Sequence, residues 1–155
     1  MKLFASPHTH VESPTSGSTM ESMVDQAVLL GRTHFSYTDP AYLTSAYRAY
    51  QYAASKGLRY IPGIEIYFKD PECEIVRGTR SEKVRYYKFT LHAMDQEAYQ
   101  RICWLSSKER KNFVTSYGSE FPLWDWSDLE DCKGYNILAC TSDVHDVVTK
   151  HLLTK

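Results

Sequence analysis

Short apolar strand-like runs alternate along this chain with amphipathic helical stretches, and that alternation constrains the fold more than any other feature. Residues 2–10 read as a strand ending in His8-Thr9-His10, and 11–17 as a loop carrying Pro14 and Gly17. Ser18 and Glu21 have the spacing of a capping box. Behind it Met20, Met23, Val24, Ala27 and Val28 make one apolar stripe, which Gly31 stops. A strand over 33–38 runs into Asp39-Pro40. A helix over 43–56 follows, with Leu43, Ala46, Tyr47, Tyr50, Ala53 and Ala54 predicted inward and Gly57 ending it. The third strand is 58–68, and 69–83 is irregular, broken by Asp70-Pro71 and Gly78.

The pattern then repeats. A strand over 84–93 leads to Asp95, a good N-cap, and a helix to about 108 with Ala98, Tyr99, Ile102 and Leu105 inward. A loop holding Gly118 and Pro122 precedes a short acidic helical turn at 125–131, a strand at 135–140 and a last helix at 144–153. Five strand–helix pairs with short links predict an α/β fold built on a parallel sheet or barrel. At 155 residues the chain fits a single domain of the usual ~150 residues.

Composition narrows the function. Eighteen basic and nineteen acidic residues leave a net charge of −1, which excludes a polybasic coat for nucleic acid. Apolar runs break well short of the ~20 residues that span a bilayer, and the first residues form no signal-peptide core. A cytoplasmic protein without membrane contact is the expectation. The four cysteines, at 73, 103, 132 and 140, form no C-x-x-C pair, so reduced, mostly packed thiols are expected.

In parallel α/β folds ligands gather at the carboxyl ends of the strands. That rim would hold His8, His10, Asp39, Glu65, the Lys88–His92 region and Cys140. His8 and His10 are two apart on an extended chain and so share a face, which is half of a metal site. The bland alternative has one capping a loop and the other packing. Glu65 opposes Ile64, Ile66 and Phe68 in mid-strand, where a carboxylate is costly unless a metal, hydrogen bond or ion pair meets it. Asp39 is a further ligand or simply a turn residue before Pro40.

His8-Thr9-His10, the capped helix from Ser18-Thr19, Tyr37-Thr38-Asp39 and Ile61-Pro62-Gly63-Ile64-Glu65-Ile66-Tyr67 together resemble the PHP (polymerase and histidinol phosphatase) domain. Asp95-Gln96-Glu97-Ala98-Tyr99 and Asp128-Leu129-Glu130 before Ile137-Leu138-Ala139-Cys140 extend the likeness over nearly the whole chain. It is similar above all to the version at the start of bacterial and phage replicative polymerases of the DNA polymerase III alpha type. The resemblance implies a distorted (β/α)7 barrel. It also implies a cluster of divalent metals (zinc, manganese or iron) whose bound water attacks a phosphoester. Five strands make this a partial, truncated barrel of about five β/α units, its open edge covered by the rest of a polymerase or by a second copy.

Departures from the family pattern decide how much chemistry survives. The family follows the Thr-Asp pair with His and Gly, where Pro40 and Ala41 stand here, and Lys88 occupies a ligand histidine's place. The carry-over keeps His8, His10 and Glu65 as ligands, with Asp39 a fourth or an outer partner. His92 and Cys140 lie nearby as possible substitutes, and no residue is assigned a catalytic role. That set suits one metal at reduced occupancy, or none, rather than a cluster. Two readings follow: a structural or interaction module of DNA replication, or a metal-dependent phosphoesterase or 3'-5' exonuclease. Arg77, Arg80, Lys83 and Arg85 could steer DNA to one side, and the acidic stretch 120–131 a basic partner to the other. The bland reading of both is a solvated loop. Trp124 and Trp126 are partner anchors or core, and the tyrosines are mostly helix core.

Overall fold

The computed structural model describes residues 9, 17–69, 86–110, 112–116 and 119–141. The expected first strand (Thr9 apart) and last helix lie outside these residues, as do Cys73, His8, His10, Arg77, Arg80, Lys83 and Arg85. The elements, in chain order, are α1 (Met20–Leu29), β1 (His34–Pro40), α2 (Ala46–Ser55), β2 (Arg59–Lys69), β3 (Tyr86–Ala93), α3 (Gln96–Ser107), β4 (Phe113–Ser116), β5 (Ser119–Trp124), α4 (Trp126–Glu130) and β6 (Ile137–Thr141).

Local chemistry sets the helix ends. The Thr19 side chain accepts the Ser22 amide at 3.1 Å, one residue later than the Ser18 cap expected, and Gly31 closes α1 at φ 64°. Gly57, at φ 76°, ends α2 in the same way. Asp95 accepts the Ala98 amide at 2.9 Å and starts α3.

The strands form one six-stranded sheet in the order β4-β5-β2-β3-β6, with β1 also on β2. The expectation of a parallel sheet is corrected. β1 and β5 run parallel to β2, but β3 is antiparallel to β2, β6 to β3, and β4 to β5. A parallel neighbour needs a crossover, usually a helix, and the breaker-rich sequence between β2 and β3 has no helical pattern. Within the stretch read as a loop, 113–116 and 119–124 are instead the strands β4 and β5, paired antiparallel. β5 leaves β4 at Pro122 and joins β2 at Leu123 and Trp124.

Two apolar clusters sit on the helix-covered face. Phe35 and Tyr37 of β1 pack with Met20, Val24 and Ala27 of α1 and Ala49 and Ala53 of α2. Ile64, Ile66 and Phe68 of β2 and Phe89, Leu91 and Ala93 of β3 pack with Ala98, Ile102 and Leu105 of α3 and with Trp124. Trp124 is therefore core, whereas Trp126 is half exposed with its ring edge on Phe68. The inward stripe of α2 is Ala46, Ala49 and Ala53, so Tyr47 and Tyr50, expected inside, are exposed. Alanines let the helix lie close on the sheet and turn the larger rings outward. Among the described residues no helix is long and apolar enough to cross a membrane.

Candidate functional site

Period-two alternation gives the sheet a second, polar face. Register places Ser36 and Thr38 of β1 beside Ile61 and Gly63 of β2, then Gly63 and Glu65 beside His92 and Thr90 of β3, and Tyr67 beside Lys88. Cys140 lies opposite Thr90, so Cys140 rather than Thr141 falls in line with Glu65. Ser36, Thr38, Glu65, Thr90 and His92 are all buried.

A charge and an imidazole organise this face. Glu65, 1% exposed, has its Oε1 3.0 Å from the Lys88 ammonium, and that ammonium lies 5.2 Å from the Tyr67 ring centroid. His92 Nδ1 is 3.0 Å from the Ser36 hydroxyl and Nε2 is 3.1 Å from the Thr90 hydroxyl. Both ring nitrogens are thus engaged, and hydroxyls serve either tautomer. Gly63 makes room for the ring, since a Cβ there would stand 2.7 Å from His92 Nδ1 and 2.8 Å from Thr38 Cγ2.

The chain at Thr9 is tied to the same strand. Its carbonyl accepts the Thr38 amide at 3.0 Å and the Thr38 hydroxyl at 3.2 Å, and its hydroxyl donates to the Ser36 carbonyl at 2.5 Å. His8 and His10 lie outside the described residues. Asp39 is one residue out of phase with Glu65. Register sets Pro40, not Asp39, beside Glu65, and Asp39 takes the Tyr37 hydroxyl and, at 3.4 Å, the Ser45 amide. β1 ends at Pro40, and Ala41 just beyond it has a φ of 63°, in the left-handed region that favours glycine. Its amide closes onto the Glu65 carbonyl at 2.7 Å.

Among the described residues no three His, Cys, Asp or Glu side chains group closely enough to hold a metal. Lys88 sets a positive charge on the buried carboxylate, and hydroxyls engage both nitrogens of His92. Glu65, Lys88, His92 and Cys140, named from the sequence, share this face with Ser36, Thr38, Gly63 and Thr90, to which sequence reasoning assigned no site role. The signal was present: small polar residues alternate with Phe35, Tyr37, Phe89 and Leu91.

A second polar centre went unrecognised. Asp128, placed by sequence in a solvated acidic stretch, is 1% exposed. Lys108 Nζ meets it at 2.9 Å, the Arg110 guanidinium binds it, and it accepts the Asp125 amide at 3.0 Å within a capping box. Cys103, Cys132 and Cys140 are free thiols, and burial pushes the Cys132 thiol pKa up.

No curated protein matches the chain. A structure from Bifidobacterium adolescentis, provisionally named a metal-dependent phosphoesterase, aligns at 17% identity and a TM-score of 0.44, over 66% of this chain and 31% of that one. An amidohydrolase from Chromobacterium violaceum aligns at 15% identity and a TM-score of 0.45, over 65% and 32%. The chain therefore spans about a third of the length of either structure. The PHP domain profile matches residues 7–155, nearly the whole sequence, and the chain belongs to the PHP domain family.

Proposed function

We propose that this chain is the PHP module of a DNA polymerase III alpha-like replication protein. In this reading it acts mainly as a structural and interaction platform rather than as a multi-metal hydrolase. The polymerase assignment rests on the sequence likeness. The structural role is supported chiefly by the Lys88–Glu65 ion pair at 3.0 Å. An ammonium beside the buried carboxylate supplies the countercharge that a metal would bring, and it repels a cation approaching the same oxygens. Partners in this reading are the rest of the polymerase or a second copy, with DNA as a further contact through Arg77, Arg80, Lys83 and Arg85.

The alternative is a metal-dependent phosphoesterase or exonuclease using His8, His10, Asp39 and Glu65. It draws on the bonds that tie Thr9, between the two histidines, to Ser36 and Thr38. Elemental analysis of the full chain after incubation with zinc or manganese separates the two. The structural reading expects less than one metal per chain and no turnover of a chromogenic phosphodiester. Two or more metals per chain, with turnover lost in His8→Ala/His10→Ala, would overturn it.

A further inference from the structure

The helix-covered face carries a cavity of about 460 Å³ between α2, the start of β2 and the start of α3. That is within the usual range for small-ligand sites. Tyr47, Tyr50, Tyr60 and Tyr99 line it, with Pro62 on its wall and Asp95 at its rim. Among the described residues none of the side chains lining it is cationic. It lies across the sheet from the Glu65 face, and neither reading of that face uses it.

Three observations define what would fit. First, Tyr47 and Tyr50 are 67% and 55% exposed although their helix packs through alanines, so these rings bound an open recess instead of filling core. Second, the Tyr60 hydroxyl is buried and makes no hydrogen bond among the described residues. Buried hydroxyls are almost always paired, so this oxygen is set to accept from a ligand N–H. Third, the charge is one-sided. Asp95 caps α3 at the rim and Glu97 follows in the first turn, two carboxylates that outweigh the half positive charge of a helix N-terminus. Burial, with Asp39 next, pushes the Tyr60 phenol pKa strongly up, which keeps its proton in place.

We propose that the cavity between α2 and α3 binds an organic cation, a guanidinium or primary ammonium group. The head would be held among tyrosine faces, with its N–H groups directed to the Tyr60 hydroxyl and the Asp95 carboxylate. Aromatic faces carry negative quadrupole density and attract such ions, while an anion would meet the Asp95 carboxylate and, among the described lining residues, no base. A free amine or an arginine side chain of another protein would supply this cation.

The test titrates the full chain with N-acetyl-arginine amide, its uncharged citrulline counterpart and free agmatine, following backbone amide shifts. The arginine compound is expected to bind at least about fivefold tighter than the citrulline one, with shifts at residues 46–50 and 93–99. Agmatine binding tighter still points to a free amine, and the reverse order to a protein side chain. Asp95→Asn retains a capping residue while removing the charge, and Tyr50→Leu alters an exposed ring, so neither threatens the fold. Each should weaken binding about fivefold. Equal binding of the citrulline compound, shifts confined to other residues, or unchanged affinity in both variants would overturn the proposal.

Discussion

Glu65 and Asp128 are each 1% exposed, yet their surroundings differ in kind. Asp128 sits in the first turn of α4 and gathers Lys108 from the end of α3, Arg110 from the segment beyond it and the Asp125 amide. Those partners come from separate stretches of chain, so the carboxylate fastens α3, the segment leading to β4 and α4 together. Glu65 lies in mid-strand and meets Lys88 across the sheet, among hydroxyls and an imidazole that all belong to one face. Burial of an acid does not by itself mark chemistry. The source of its partners separates a fastening from a site.

Five variants press on that contrast. Asp128→Ala should cost the most, about 3–5 kcal/mol in urea unfolding, because it leaves the Arg110 guanidinium, 9% exposed, without its carboxylate. A loss below about 1 kcal/mol would show that the cluster fastens nothing. Gly63→Ala should cost about 1–3 kcal/mol, since the added methyl runs into His92 and Thr38, and it should perturb the His92 ring resonances. Unchanged resonances would mean the face is looser than its packing implies.

Glu65→Gln should cost less, about 1–2 kcal/mol, because the Lys88 side chain left behind is 28% exposed and can turn to water. Lys88→Met should cost more than Glu65→Gln, since it strands the charge on the buried side. Equal losses would place the pair in solvent rather than in the sheet. The smallest effect concerns Asp125, which the Ser127 hydroxyl, helped by the amides of Asp128 and Ser127, holds below the ordinary carboxylate range. With the folded value lowered, its stabilisation is complete above the ordinary value and is lost as pH falls through the lowered one. Melting temperature should therefore fall less steeply in Asp125→Asn than in the parent between about pH 5 and pH 2. Identical slopes would assign the acid sensitivity elsewhere.

Much of the fold was legible because its signals are local. Asp95 capping α3, Gly31 and Gly57 ending helices, and Ile64, Ile66 and Phe68 sharing a face all follow from short-range rules. The direction of β3 and β6 was not legible, since antiparallel pairing depends on the path of a connection rather than on strand composition. Tyr47 and Tyr50 misled because helical spacing gives a stripe without saying which part of it touches the sheet. Asp128 was missed because Lys108 and Arg110 lie about twenty residues earlier in the chain.

From the sequence alone come the alternation of strand and helix, the helix caps, the two-faced strands and the family motifs, because each is written within a few neighbouring residues. Tertiary structure decided that Lys88 would lie against Glu65, that hydroxyls would occupy His92, that Asp39 would fall out of phase with the polar face, and that four tyrosines would enclose a cavity. Those outcomes depend on register and on the approach of distant segments, and a one-residue slip of its strand would turn Glu65, Lys88 or His92 to the other face.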